Sequence, residues 1–485
     1  MRGVAGVPPT MGGMRRAKIV TTLGPAVNTK EDIRRLVDAG IDVARINRSH
    51  GSYEEHEQSI RWVHEAAAES GRAVAILVDL QGPKIRTGRF SGGPVHLAVG
   101  DTFTITTDDI DGDSERVSTT FKGLPDDVKV GDILLIDDGK ITLRATEVTD
   151  TDVRCVTVEG GTVSNNKGIN LPGVAVSVPA LSEKDEEDLR WALRVGADWI
   201  ALSFVRDASD ITRVHEIMAE VGLVRPVLAK IEKPQAVANL ADIVRAFDGI
   251  MVARGDLGVE MPLEEVPLVQ KRAVELARRD AKPVIVATQV LESMIENSRP
   301  TRAEASDCAN AVLDGADAIM LSGETSVGAW PILAVQTMAR IIENTEDHGL
   351  SRIPPLGTTP HTTGGAVTKA AAEIGDELDA KYLVTFTTSG DSARRMSRVR
   401  PTLPMLAFTQ KPHTRRRLAL TWGITAFNLP ELEDTSSMIA SVDRVLLEQG
   451  RCAHGDTIVV VAGRPHGVPG STNALQVHRV GGLAD

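Results

Sequence analysis

Several large classes of protein are excluded by what this chain lacks. It has three cysteines in 485 residues, Cys155, Cys308 and Cys452, and no CxxC pair. Neither a disulfide framework nor a cysteine zinc site is suggested, and a reducing, cytoplasmic setting is expected. No run approaches the roughly eighteen apolar residues of a membrane span, and the opening MRGVAGVPPTMGGMRRAK lacks the apolar centre of a signal peptide. Positive charge is not in excess: the net charge is −12, which argues against nucleic acid as the main partner. A small anionic substrate is still allowed, because charge in a site is local. Familiar catalytic motifs are also missing, with no GxxxxGK[ST], no kinase-type GxGxxG and no GxSxG. The pairs His56-Glu57 and His64-Glu65 fail HExxH for want of a second histidine, and both histidines are expected on a solvated helix face.

The length implies two or three domains. Eight short apolar runs, beginning at Ala17, Val43, Ala73, Trp199, Val227, Gly249, Pro283 and Ala318, alternate with helix signals such as Lys30 to Ala39, Tyr53 to Ser70, Leu263 to Asp280 and a capped start at Ser182. Buried strands alternating with helices predict a parallel α/β fold, and eight units favour a closed (β/α)8 barrel over a doubly wound sheet. The spacing breaks once. Residues 87–171 carry short alternating runs (HLAV, FTITT, ILLI, VRCVTV) and a DDG hairpin signal, which reads as an all-β domain inserted between barrel segments 16–86 and 172–350. Residues 1–15 are expected to be a flexible extension. A linker near 351–365 introduces a C-terminal α/β domain, 351–485, with strands at YLVTFT, MLAFT and TIVVVAG.

Charge then enters where an apolar strand should have none. VLAKIEKP puts Lys230 and Glu232 on one face of a strand, and GIMVARGD is expected to do the same with Arg254 and Asp256. Each ion taken from water costs several kcal/mol, so such groups call for a ligand or a metal. In barrels, polar residues at strand carboxyl ends read as active site. Those ends supply Arg45, Asn47 and Ser49, then Asp79, Lys230, Glu232, Asp256, and Thr288 with Gln289. Glu232 and Asp256 are hard oxygen donors suited to Mg²⁺ or Mn²⁺. Arg45, Arg86 and Lys230 would surround an anion, with phosphate the natural one. The reaction class is metal-assisted chemistry on a phosphorylated or carboxylated small molecule.

The segments ARINRSHGSYEEH, VDLQGPKIRTG, AKIEKPQAV, IMVARGDLGVEMP, VATQVLESMIENSRPTRAEASDCANAVLDGADAIMLSGETSVG and GVPGSTN closely resemble pyruvate kinase in order and spacing. The resemblance implies a barrel, an inserted lid, a C-terminal effector domain, a homotetramer, and phosphoryl transfer from phosphoenolpyruvate to ADP giving pyruvate and ATP. It implies that Glu232 and Asp256 hold the divalent ion and that Lys230 neutralises charge on the transferring group. Arg45 would clamp the phosphoryl oxygens, and the Gly255 and Asp256 amides would bind the substrate carboxylate. Thr288 would belong to a relay that protonates carbon, and Arg86 and Lys167 would contact nucleotide phosphates. A metal-dependent pyruvate or oxaloacetate lyase on a related barrel, and a catalytically silent effector sensor, are the alternatives.

Two departures from the family pattern stand out. Arg48 replaces the usual aromatic residue before Ser-His, and is expected to point away from Asn47 and Ser49. Lys84 replaces a glutamate beside the family's K⁺ ligands, which match Asn47, Ser49, Asp79 and the Leu80 carbonyl. DLQGPKIR therefore resembles the potassium-independent branch, in which the lysine stands in for the ion, although Thr87 is not that branch's aliphatic residue. Lastly, Thr387, Thr388, Ser389, Gly390 and Ser392 resemble the effector phosphate loop, with a sugar phosphate or AMP as the ligand implied. Asp391 puts a carboxylate where many members have a cation.

Overall fold

Each of the eight apolar runs forms a parallel strand: β1 (Lys18–Thr22), β2 (Val43–Asn47), β3 (Ala75–Asp79), β4 (Trp199–Leu202), β5 (Val227–Ile231), β6 (Gly249–Ala253), β7 (Val284–Ala287) and β8 (Ala318–Leu321). Successive strands pair, and β8 closes on β1 through Lys18↔Ala318 to Thr21↔Leu321, so the sheet is a closed barrel and not a doubly wound one. The structure is a computed structural model that describes residues 15–174, 176–430, 435–464, 468 and 470–482. Fourteen of the fifteen residues expected as an extension thus lie outside the described residues. The fifteenth, Arg15, is anchored: it donates to the Gly40 carbonyl at 2.6 Å and pairs with Asp42.

The strands are apolar on both faces because both are covered. Leu77, Trp199, Leu228, Met251 and Met320 fill the barrel interior, while the outward faces pack on the helices. Helix starts follow from local chemistry. Ser52 with Glu55, Ser182 with Asp185 and Thr301 with Glu304 each form a reciprocal capping box, every cap contributing about 1 kcal/mol. The two histidines of Tyr53–Ser70 are half-buried and not solvated, since that helix packs against its neighbours. His56 Nε2 lies 2.8 Å from the His50 carbonyl, and burial lowers the pKa of both rings.

Between β3 and the helix Glu183–Arg194 the chain makes a six-stranded and a two-stranded sheet around a separate core that includes Phe103, Leu134, Ile136 and Leu143. Its hairpin pairs Ile136 with Ile141, and Asp137, Asp138 and Gly139 all turn at positive φ, as the DDG signal predicts.

The C-terminal part forms a five-stranded sheet. Ile424–Asn428 and Thr472–Arg479 join the three expected strands, the latter as an antiparallel edge. The linker ends earlier than expected: helix Thr363–Glu377 starts after Thr362, whose side chain accepts from the Gly365 amide. Gly365 is needed there because a Cβ would sit 2.7 Å from Arg398 Nη2. This part also closes the barrel floor, where Ala419 and Leu420 join the interior cluster and Lys18 Nζ donates to the Ile424 carbonyl at 2.9 Å.

Candidate active site

The carboxyl ends of β2, β3, β4 and β5 converge on one buried ion network. Asp79, at the end of β3, is its centre. Arg45 on β2 donates through Nε to Asp79 Oδ2 at 2.8 Å and through Nη1 to Thr22 Oγ1 at 2.9 Å. From β5, Lys230 Nζ lies 3.4 Å from Asp79 Oδ1 and 2.8 Å from Glu232 Oε1. Lys230 also donates to Ser203 Oγ at 2.8 Å, and Ser203 in turn donates to the Leu80 carbonyl at 2.7 Å. The remaining oxygen of Glu232 accepts the Phe204 amide at 2.7 Å.

The electrostatics follow from burial and pairing. Burial alone would depress the Lys230 ammonium, yet Asp79, Glu232 and Asp256 outweigh it and hold its pKa above the ordinary range. Burial works against ionised Asp79 too, but Lys230 and Arg45 keep it below the usual carboxylate value. Glu232 moves the other way, raised first by burial and then by Asp256 against the pull of Lys230. Lys230 and Glu232 are therefore in direct contact. Two charges on one face of a strand, both taken from water, pair with each other here.

Asp256 reaches this network from the next unit, although not from a strand. β6 ends at Ala253, and Arg254–Glu260 is helical, so Arg254 and Asp256 do not share a strand face as the alternation implied. Arg254 turns away to Asp307 at 2.7 Å and to the Thr288 carbonyl at 2.8 Å. The Gly255 amide donates to Thr288 Oγ1 at 2.7 Å, and that hydroxyl donates to the Ala287 carbonyl at 2.6 Å. Thr288 and Gln289 have φ values of 67° and 52°. For a β-branched residue this is strained backbone, of about 1–3 kcal/mol, at the place where the sequence expects chemistry.

Other expected residues sit further out. Asn47 Oδ1 accepts the Ser49 amide at 3.1 Å. Arg86 and Lys167 are brought together where the lid leaves the barrel: Arg86 bridges Gly168, Arg86 Nη1 donates to the Asn166 carbonyl at 3.0 Å, and Lys167 Nζ lies 2.9 Å from Asp137 Oδ1. Lys84 departs from expectation. Its ammonium is 3.9 Å from Asp138 of the lid hairpin and its stem lies against Gly168, and among the described residues it makes no ion pair with Asp79. The turn at Gly82, φ 76°, sends the following residues toward the lid. Arg48, 4% exposed, does point away from Asn47 and Ser49. It packs over Tyr53 and Trp191, 4.3 and 5.0 Å from the ring centroids, and donates to Asp188 at 3.0 Å.

Reasoning from sequence missed Thr22, Ser203 and Phe204. Thr22 and Ser203 close or follow apolar strands, so the rule that singled out Asp79 could have found them. Phe204 acts through its amide and leaves no side-chain signal. In the C-terminal part, Thr387 to Gly390 form a strand-to-helix loop and Ser392 lies in the first turn of the helix Asp391–Ser397: Thr387 Oγ1 accepts the Gly390 amide at 2.9 Å, and Ser392 Oγ is 2.5 Å from Thr472 Oγ1. Part of GVPGSTN, Gly467 and Pro469, lies outside the described residues.

Glu232 and Asp256 offer hard oxygens, and no set of three or more His, Cys, Asp or Glu side chains fit for a metal occurs among the described residues. The donor set suits a hard divalent ion completed by substrate oxygens and water. A (β/α)8 barrel with paired carboxylates, a buried lysine and arginine at its carboxyl mouth and an inserted β lid defines a phosphotransferase acting on a small anionic substrate. Residues 14–335 match the family described as pyruvate kinase, barrel domain, and residues 365–478 match pyruvate kinase, alpha/beta domain. The chain is 59% identical to a pyruvate kinase of Mycobacterium intracellulare, over 96% of its own length and 99% of that protein. To a pyruvate kinase of Corynebacterium glutamicum it is 58% identical, over 96% and 98%. A crystal structure of a pyruvate kinase from Cryptosporidium parvum superposes with a TM-score of 0.89 at 36% identity, covering 96% of each chain. The chain belongs to the pyruvate kinase family, whose members transfer phosphoryl from phosphoenolpyruvate to ADP as the last step of glycolysis and generally use Mg²⁺ and K⁺. Among the described residues no helix is long and apolar enough to cross a membrane.

Proposed function

We propose that this phosphoryl transfer is carried by the Asp79-centred network. Glu232 and Asp256 would hold Mg²⁺ or Mn²⁺, which would supply charge neutralisation to the transferring group. Lys230 donates to the oxygens that gain charge as the phosphoryl group leaves; the carboxylates around it keep it protonated for that task. Arg45, aimed by Asp79 and Thr22, clamps the phosphoryl oxygens. The Asp256 amide, with the Gly255 amide once substrate displaces its bond to Thr288 Oγ1, orients the substrate carboxylate, and Thr288 positions the water that protonates the enolate carbon, a threonine hydroxyl being too weak an acid alone. Arg86 and Lys167, held where lid meets barrel, take the nucleotide phosphates as the lid closes. The observation that carries this reading is the direct contact of Lys230 with both Asp79 and Glu232. Its test is pyruvate formation from phosphoenolpyruvate with Mg²⁺, strictly dependent on ADP: a lyase would not need ADP, and a silent sensor would make no pyruvate.

Asn47, Ser49, Asp79 and the Leu80 carbonyl are the positions for K⁺. Asp79 already faces two cations, Arg45 and Lys230, so turnover without K⁺ is the favoured reading. Lys84 approaches the lid and not these ligands. A homotetramer in the cytoplasm, and regulation by a sugar phosphate or AMP at the Thr387 to Ser392 segment, complete the proposal.

A further inference from the structure

At the root of the lid, side chains from three segments meet on one carboxylate oxygen. The lid's last strand, Ile169–Asn170, pairs with Ile133–Ile136 through Ile169↔Ile136 and Asn170↔Leu135. From that strand Asn170 Nδ2 donates to Glu260 Oε1 at 2.7 Å, and Lys233 Nζ reaches the same oxygen at 2.5 Å. Asn170 and Glu260 are buried, and Lys233 is half-buried.

The barrel ends of this clasp lie beside the candidate metal carboxylates. Lys233 directly follows Glu232, and its ammonium sits over the Phe204 ring, 5.4 Å from the centroid, while the Phe204 amide donates to Glu232. Glu260 closes the helix Arg254–Glu260, which carries Gly255 and Asp256 in its first turn. Val259, next to Glu260, faces the lid hairpin: a Cβ on Gly139 would lie 3.9 Å from Val259 Cγ1. The root strand and the hairpin of the lid thus both come down on the end of that helix.

Packing by itself does not fix the lid there. A cleft lined by Pro83, Ile85, Leu171, Val176, Pro179 and Phe204 opens beside the clasp, so the apolar surfaces of lid root and barrel are not closed on each other. The ion pair of Lys84 with Asp138 is 3.9 Å long and the Asp138 side chain is 67% exposed, so it holds little. A buried hydrogen bond to a carboxylate is directional and about twice as strong as a neutral one. Arg86 and Lys167 are set by the same root, since Arg86 bridges Gly168 and Lys167 precedes it.

We propose that Glu260 is a positioning residue, which seats the lid through Asn170 and so places Arg86 and Lys167 for the nucleoside diphosphate. This rests on the reading above that those two cations take the nucleotide phosphates. Affinity for ADP then scales with the fraction of chains whose lid is seated.

The test is calorimetric titration of the full chain with ADP and Mg²⁺, beside a Mn²⁺ titration by electron paramagnetic resonance. Glu260→Gln removes negative charge near an anion site, so charge alone would tighten ADP; loss of the clasp should instead weaken it at least about fivefold. Asn170→Leu removes only the lid's half and reports even if Glu260→Gln fails to fold. It should weaken ADP in the same direction yet leave Mn²⁺ affinity within about threefold, because the pair of Lys233 with Glu260 remains. Combining Asn170→Asp with Glu260→Gln exchanges amide and carboxylate, and should bring ADP affinity back to within about threefold of the parent. Unchanged or tighter ADP binding in Glu260→Gln, equal weakening of ADP and Mn²⁺ in Asn170→Leu, or no recovery in the exchanged pair would each overturn the proposal. A parent that binds no ADP would sink the nucleotide assignment and this proposal with it, whereas a parent that binds ADP with unchanged affinity in both single variants would sink this proposal alone.

Discussion

The Gly255 amide and the Thr288 hydroxyl are joined by a 2.7 Å hydrogen bond across the mouth of the barrel. It ties the first turn of a short helix to a strand end held at positive φ, so a group assigned to the substrate carboxylate and one assigned to proton delivery form a single unit. The strain at Thr288 persists because its neighbours determine its position from both sides.

Removing that hydroxyl separates the two roles. Thr288→Val should lower kcat by about 10²-fold, the usual scale for lost proton-transfer positioning, while Thr288→Ser retains most activity. Steady-state kinetics, with loss of enzyme-catalysed exchange of the pyruvate methyl protons for solvent deuterium, checks this. Equal activity in both variants would remove Thr288 from the relay.

The contact between Lys230 and Glu232 sharpens a second outcome. Lys230→Met should reduce kcat by about 10³-fold yet leave Mn²⁺ affinity unchanged or stronger, since it frees a buried carboxylate from its cation. Glu232→Gln should weaken Mn²⁺ binding by more than about tenfold. Electron paramagnetic resonance titration distinguishes them, and equal weakening of the metal in both would return the pair to a structural salt bridge.

Arg48 should matter for stability more than for chemistry. Asp188, buried, also receives Tyr53 OH at 2.8 Å and Lys184 Nζ at 2.5 Å, so Arg48→Ala leaves it partly compensated. A cost near about 3 kcal/mol follows, the low end for breaking a buried pair, with kcat within about threefold of the parent. A fall in Tm at preserved turnover is the readout.

Potassium dependence follows from the two cations on Asp79. In tetramethylammonium buffer, adding KCl should stimulate turnover less than about tenfold. A larger stimulation would show that Arg45 and Lys230 do not satisfy the charge that K⁺ meets.

The surface pair at Glu186 gives a pH prediction. Hydrogen bonds from Arg213 hold this carboxyl at about 2 in the folded chain, below its ordinary 4.5. A depressed folded pKa stabilises fully above the unfolded value and is lost as pH falls through the window from 4.5 toward 2. Glu186→Gln should therefore lose less Tm than the parent between about pH 5 and 3. Parallel Tm curves would place the pair's contribution at nothing, as for many partly exposed pairs.

Much of the site was legible because chemistry at strand ends breaks an apolar pattern. Lys230, Glu232, Asp79 and Arg45 announce themselves as charges where buried strands should have none, and the capping residues Ser182 and Asp185 mark a helix start without reference to the rest of the chain. Lys84 was misplaced for the opposite reason. Where a side chain goes after a turn such as Gly82 depends on a hairpin some fifty residues away, which local spacing does not record.

The sequence alone determined the eight strands, their order, the inserted β domain and the family, since each rests on local periodicity or on contiguous motifs. Tertiary structure decided the rest: that Asp79 lies between Arg45 and Lys230, that Arg254 leaves the face Asp256 occupies, and that Asn170 of the lid meets Lys233 on Glu260. Those relations join residues tens to hundreds of positions apart. They exist only once the barrel has closed and the lid has docked on it, because burial is what turns separate charges into a network.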